Sequence, residues 1–192
     1  MKFAVGLLAV GLTLTACSGS GTAAPPPVTV TAPVSIPPAP TADPAVVSWV
    51  DGFCSAVNGY RKRTNAESQP GQPQPKSVAE AQKALSAQLG AFAARTGEVV
   101  DKLTALPAAP VPLAETVRTS FLGKFTTSRD RAAHAKTALD GAKPGDEASQ
   151  TPAADAVEKA QQDLDGTYDP VAPLAESQDL LLATATAPGC KM

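Results

Sequence analysis

The chain has 192 residues, 43% of them apolar but only 4% aromatic, and its 16 Lys and Arg against 18 Asp and Glu leave a net charge of −2. So weak and negative a balance excludes the electrostatic footprint of a nucleic-acid binder and a polybasic membrane patch. So few aromatic side chains exclude a stacking platform for single strands. The first element in chain order is an apolar run from Phe3 to Thr15, preceded by Lys2 and closed by Ala16. It is too short for a bilayer-spanning helix, which needs about 20 apolar residues. A cationic start, a run of this length and a small residue at its end describe a secretory signal, residues 1–16. No later window is long and apolar enough to span.

The run ends in "Leu14-Thr15-Ala16-Cys17", which resembles the lipobox of bacterial lipoproteins. The resemblance covers the first seventeen residues and implies cleavage just before Cys17, a diacylglycerol on its sulfur and, often, acylation of the new amino group. Leu14 suits an apolar subsite, Thr15 and Ala16 are small, and only a thiol forms the thioether. An acyl chain contributes about 0.8 kcal/mol per buried CH₂, so two chains hold where one is marginal. The alternative is an ordinary cleaved signal with a chance cysteine. The resemblance places the protein on the extracytoplasmic face of the cell membrane. The Ala-, Pro- and Thr-rich bias resembles that of high-GC actinobacteria; the folded part is assigned to no family. Loss of Lys2 with the signal takes the net charge from −2 to −3.

Residues 17–43 form the next segment: Cys17, then mostly Pro, Ala, Thr, Ser and Gly with no charge before Asp43. Such a composition lacks the large apolar surface needed to offset ordering entropy. Its prolines favour polyproline II, a spacer reaching roughly 80 Å at ~3.1 Å per residue. Threonines beside prolines make it a possible glycan acceptor.

From Pro44 to the end, the pattern turns to a period of 3.6. Asp43-Pro44 reads as an N-cap with Pro at N1. Trp49, Phe53, Val57 and Tyr60 then share one helix face, and Arg61-Lys62-Arg63 close the helix. A Pro- and Gly-rich loop follows. Ser77-Val78-Ala79-Glu80 is a capping box opening a second helix, whose stripe runs Val78, Leu85, Leu89, Phe92, Thr96, Val99, Leu103, Leu106 until Pro107. A third stripe is Leu113, Val117, Phe121, Phe125, Ser128, Ala132, Ala135, Leu139, ended by Gly141 and Pro144. Thr151-Pro152 opens a fourth: Val157, Gln161, Leu164, Tyr168, Val171, Leu174, Gln178, Leu181, Ala185. Pro170 and Pro173 should kink or break it. "Pro110-Val111-Pro112-Leu113-Ala114-Glu115" is echoed by "Pro170-Val171-Ala172-Pro173-Leu174-Ala175-Glu176", which two similar proline-led helix starts explain.

Four amphipathic stripes without an alternating β-branched run predict an all-α domain over 44–192, an antiparallel four-helix bundle in up-down-up-down order. That order brings the C-terminus to the first helix. With Cys17 taken by lipid, Cys54 and Cys190 remain, an even pair in an exported protein, and are expected to form a disulfide. Two free thiols are the alternative.

Signals for catalysis are thin. His134 is flanked by Arg131 and Lys136 on an Ala-rich helix and reads as a surface residue. Gly123-Lys124 lacks the earlier glycine and the following Ser or Thr of a phosphate loop. Asp163, Asp165 and Asp169 are spaced like the start of a calcium loop but lack its later bidentate Glu. No zinc-ligand spacing occurs. Thr96, Ser128, Gln161 and Gln178 interrupt the stripes and hint at a cavity. The expectation is a non-catalytic, lipid-anchored envelope protein without metal or cofactor. Its helical domain would bind an envelope protein or a small amphipathic ligand, and not nucleic acid. The alternative is a carrier of an apolar or amphipathic envelope molecule. An enzyme would instead need the three acids to converge in a cleft.

Overall fold

The computed structural model describes residues 41–67 and 74–191, and Ala39 onward groups as one compact unit. Residues 1–16, most of 17–43 and hence Leu14, Thr15, Ala16 and Cys17 lie outside the described residues. Among the described residues all regular structure is helical: five α-helices and three short 3-10 turns. None of these helices is long and apolar enough to cross a membrane.

Helix α1 spans Pro44–Glu67. Asp43 caps it, its Oδ1 accepting the Ala45 N–H at 2.7 Å, which satisfies one of the orphan amides of the first turn. The helix runs past the expected stop at Arg63. Ion pairs from Arg63 to Glu98 and from Glu67 to Arg95 fasten its last turn to the second helix. Helix α2 spans Val78–Thr104. The Ser77 Oγ accepts the Glu80 N–H at 3.2 Å. Glu80 in turn reaches one residue beyond the expected box, accepting the Lys76 N–H at 2.7 Å.

Helix α3 spans Pro112–Gly141. Gly141 is the last helical residue and not a left-handed cap; the positive φ of +80° falls on Gly145, whose N–H donates to the Gln82 side chain at 2.8 Å. A 3-10 turn, Glu147–Ser149, leads into α4, Gln150–Gln162. There the fourth predicted helix breaks. The chain turns at Gly166, where φ is +78°, and forms a 3-10 turn, Ala172–Leu174. It resumes as α5, Gln178–Thr186, and ends in a third 3-10 turn, Pro188–Cys190.

Five helices therefore replace the expected four. The break also resets the helical phase. In the predicted fourth stripe, Leu164 and Leu174 are fully buried, but Tyr168 is 48% and Leu181 46% exposed. Gln161, Gln178 and Ala185 are exposed as well. Leu180, Ala183, Thr184 and Ala187 are the residues that α5 and its end bury. The echo of the α3 start gives only a 3-10 turn: the position matching Val117 is Gln178, which is exposed, so the second turn of the stripe is missing there.

Helices α2 and α3 pair along much of their length. Antiparallel packing is fixed at one end by the Gln82 side chain, which donates to the Leu139 carbonyl at 3.0 Å. Helix α1 lies against the second half of α2, its Trp49 indole N–H donating to the Pro107 carbonyl at 3.3 Å. Helix α4 lies on the C-terminal half of α3, where the Ser128 hydroxyl donates to the Ala160 carbonyl at 2.5 Å. Arg131 pairs there with Asp163 at 2.7 Å. Helix α5 and the last 3-10 turn pack on α1. The aromatic core joins α1 to α3. Trp49 stacks on Phe53 at 5.5 Å, and Phe53 and Tyr60 meet Phe121 and Phe125 edge-on at 5.1 and 5.4 Å. These offset and edge arrangements suit the ring quadrupoles.

Candidate functional site

The candidate site grows out of the α1–C-terminus junction. Cys54 is buried on α1, one position round from the Phe53 stripe. Its disulfide to Cys190 spans 136 residues with Cα atoms 4.9 Å apart. This is the expected pairing. The surrounding contacts explain why the two cysteines meet. The Asn58 amide donates to the Gly189 carbonyl at 2.8 Å, and the Gly189 N–H donates to Asp51 Oδ1 at 2.6 Å. A Cβ on Gly189 would stand 2.5 Å from the Asp51 carbonyl and collide with the Ser55 hydroxyl, so only glycine lets the turn sit this close. Asn58 is buried, and its bond to the chain end meets the demand that buried polar groups be paired.

Beside this clasp, the first turns of α1 and the last turns of α5 border an open groove of about 670 Å³. Its walls are Ala42, Pro44 and Val47 on one side and Leu182, Ala185 and Pro188 on the other, with Asp51 at its edge. The exposed Leu181 stands on α5 immediately before the wall residue Leu182. The groove is apolar, of small-molecule size and built from groups about 140 residues apart in sequence. No periodicity reveals it, because it depends on where α5 is clasped. The only prior trace is the pairing of Cys54 with Cys190, which fixes that position.

The residues singled out for chemistry fall elsewhere and do not converge. His134 is exposed on α3 and borders another pocket with Asp130 and Arg131. Asp163 is held by Arg131. The Asp165 carbonyl accepts from Lys124, and Asp169 Oδ1 caps the N–H groups of Val171 and Ala172 at 2.9 and 3.2 Å. The carboxylates of Asp163 and Asp169 thus have separate structural partners, and the contact at Asp165 runs through its backbone. Among the described residues no group of three His, Cys, Asp or Glu is arranged to hold a metal ion. Lys124 lies within α3 and not in a phosphate loop.

The polar residues of the stripes do not line a cavity together. Thr96 is buried and donates back to the Phe92 carbonyl at 2.9 Å. Ser128 is buried on Ala160. Gln161 and Gln178 face solvent. The cationic end of α1 is divided as well: Arg61 donates to the Asn58 side chain at 3.3 Å, Arg63 pairs with Glu98, and Lys62 is exposed. Tyr60 is the buried titratable group of α1, and burial pushes its phenol above the ordinary tyrosine value.

No family model matches the chain, and no curated protein or solved structure matches it.

Proposed function

We propose that the protein is a non-catalytic lipoprotein of the cell envelope, anchored through acylated Cys17 and holding its helical domain, an up-and-down bundle with its last member split, outside the cytoplasmic membrane. The observation that carries the reading is the distribution of its three cysteines. Cys54 and Cys190 are joined, a state that persists on the oxidising side of a membrane. The remaining cysteine, Cys17, is the one that completes the lipobox-like Leu14-Thr15-Ala16-Cys17. Export and lipidation each account for their own cysteines and imply the same location. Diacylation suffices for stable anchoring, since two chains hold where one does not.

The domain offers a binding surface in place of reaction machinery. Asp169 serves as a cap and Asp163 as an ion-pair partner, and the feature with ligand character is the apolar α1/α5 groove. That groove favours the second reading, a carrier or receptor for an apolar or amphipathic envelope molecule, over a pure protein scaffold. The experiment is fractionation of Cys17→Ser cells. The variant is expected to keep its first sixteen residues and to leave the lipoprotein pool, with no acyl label incorporated from radiolabelled palmitate. Undiminished palmitate incorporation by the variant would refute the anchor.

A further inference from the structure

We propose that the groove between α1 and α5 takes one acyl chain of a membrane phospholipid. The inference rests on the anchored reading above and gives its binding site and ligand class. Three observations lead to it. First, the walls are mostly hydrocarbon, from Ala42, Pro44, Val47, Leu182, Ala185 and Pro188, with only the hydroxyls of Thr41, Ser48 and Thr186 and the Asp51 carboxylate among them. At about 670 Å³ the groove falls within the roughly 300–1,000 Å³ range of small-molecule sites. Second, its charge is wrong for an anionic headgroup. The one ionisable side chain in the lining is Asp51, and its Oδ1 is already engaged by the Gly189 N–H. With this acid in its lining, the groove repels phosphate and carboxylate groups. Third, the groove stands where the anchor segment enters. Thr41, the first described residue, is part of its wall. Residues 17–40 join that wall to Cys17, so covalent geometry keeps the groove within roughly 85 Å of an anchored lipid surface. Leu181, 46% exposed beside Leu182, extends the apolar rim over which a tail would pass. The clasp of Cys190 and Gly189 on α1 fixes the second wall against the first.

The test reconstitutes the full wild-type protein in phosphatidylcholine vesicles containing a phosphatidylcholine with a diazirine on one tail. After photolysis, labelled peptides are mapped by mass spectrometry. Beyond the neighbourhood of residue 17, label is expected on peptides covering 41–51 and 181–188. Ala185→Asp and Ser48→Asp change exposed positions of the groove lining and should leave the helical circular dichroism intact. Each is expected to lower the groove label by about tenfold, because a tail laid on a carboxylate desolvates it without a partner. Label absent from those peptides, or unchanged in both variants, overturns the proposal. The acyl mass on residue 17, measured in the same sample, judges the anchor separately. An acylated chain with an unlabelled groove refutes the groove alone, and a labelled groove on a chain without acyl mass supports it while refuting the anchor.

Discussion

Leu180 and Leu181 are neighbours with opposite fates. Leu180 is fully buried, whereas Leu181 is 46% exposed. Continuing the predicted stripe from Val157 in steps of three and four residues puts Leu181 in the core. The turn at Gly166 and the prolines beyond it end that count, and α5 begins a new one after Ser177, whose backbone is extended. The energetics separate the two positions. Leu180→Ala should cost about 2–5 kcal/mol, the usual range for emptying a leucine site in a packed core. Leu181→Ala should lie within about 0.5 kcal/mol of the parent. Urea denaturation of both variants measures this; a larger loss at Leu181 than at Leu180 would return α5 to the unbroken register. At the same scale, the polar residues that interrupt the stripes prove to be structural. Thr96 bonds back along its own helix and Ser128 ties α3 to α4, so a hydroxyl among apolar neighbours marked a crossing here and not a cavity.

At the scale of the helices, legibility followed the strength of local chemistry. Helices α2 and α3 were predictable almost to the residue, because Ser77, Pro112 and a stripe of large apolar groups act within a few residues of each boundary. The extension of α1 to Glu67 was not, because Glu98 and Arg95, which hold its end, lie on another helix. The region from Asp163 to Ser177 was legible as a break but not as a shape, since proline says where a helix fails and not what replaces it. The groove was invisible for the same reason: its two walls belong to distant segments brought together by tertiary contacts.

The ion pairs at these junctions set a pH response. Hydrogen bonding to Arg63 holds Glu98 below the ordinary glutamate value, and Lys136, with Ser86, does the same for Asp140. A carboxyl depressed in the folded state stabilises the fold above its unfolded value and loses that contribution as pH falls through the folded one. Tyr60 has the opposite sign of exposure to pH. Its raised value favours the fold below the unfolded tyrosine value, and that contribution fades as pH rises above about 10. The urea midpoint should therefore be level between about pH 5 and 8 and decline below about pH 4. Glu98→Gln is expected to make the acid decline shallower, with only a small change at neutral pH because the pair is exposed. An acid limb unaltered by that substitution would remove the α1–α2 pair from the account.

At the scale of the whole molecule, a long α2–α3 hairpin carries α4 on one half and α1 with α5 on the other. The second attachment is the conditional one. Helix α5 has nine residues, too few to persist alone in water, and is held by the Cys54–Cys190 bridge with Asn58 and Asp51. Closing a loop of 136 residues is worth up to about 5 kcal/mol in the chain-entropy view. The double variant Cys54→Ser, Cys190→Ser should unfold at distinctly lower urea. Its amide exchange should rise first in residues 178–190 and stay slow in α2 and α3. Uniform acceleration across all helices would show that the bridge braces the entire core and not the α5 clasp.

What joins the clasp, the groove and the location into one account is the proposed lipid on Cys17. The most direct measurement is mass spectrometry of the N-terminal peptide from protein extracted out of the native membrane. The account predicts a peptide that begins at residue 17 and carries diacylglycerol on its sulfur. A peptide beginning at any other residue, or an unmodified thiol at position 17, would contradict it.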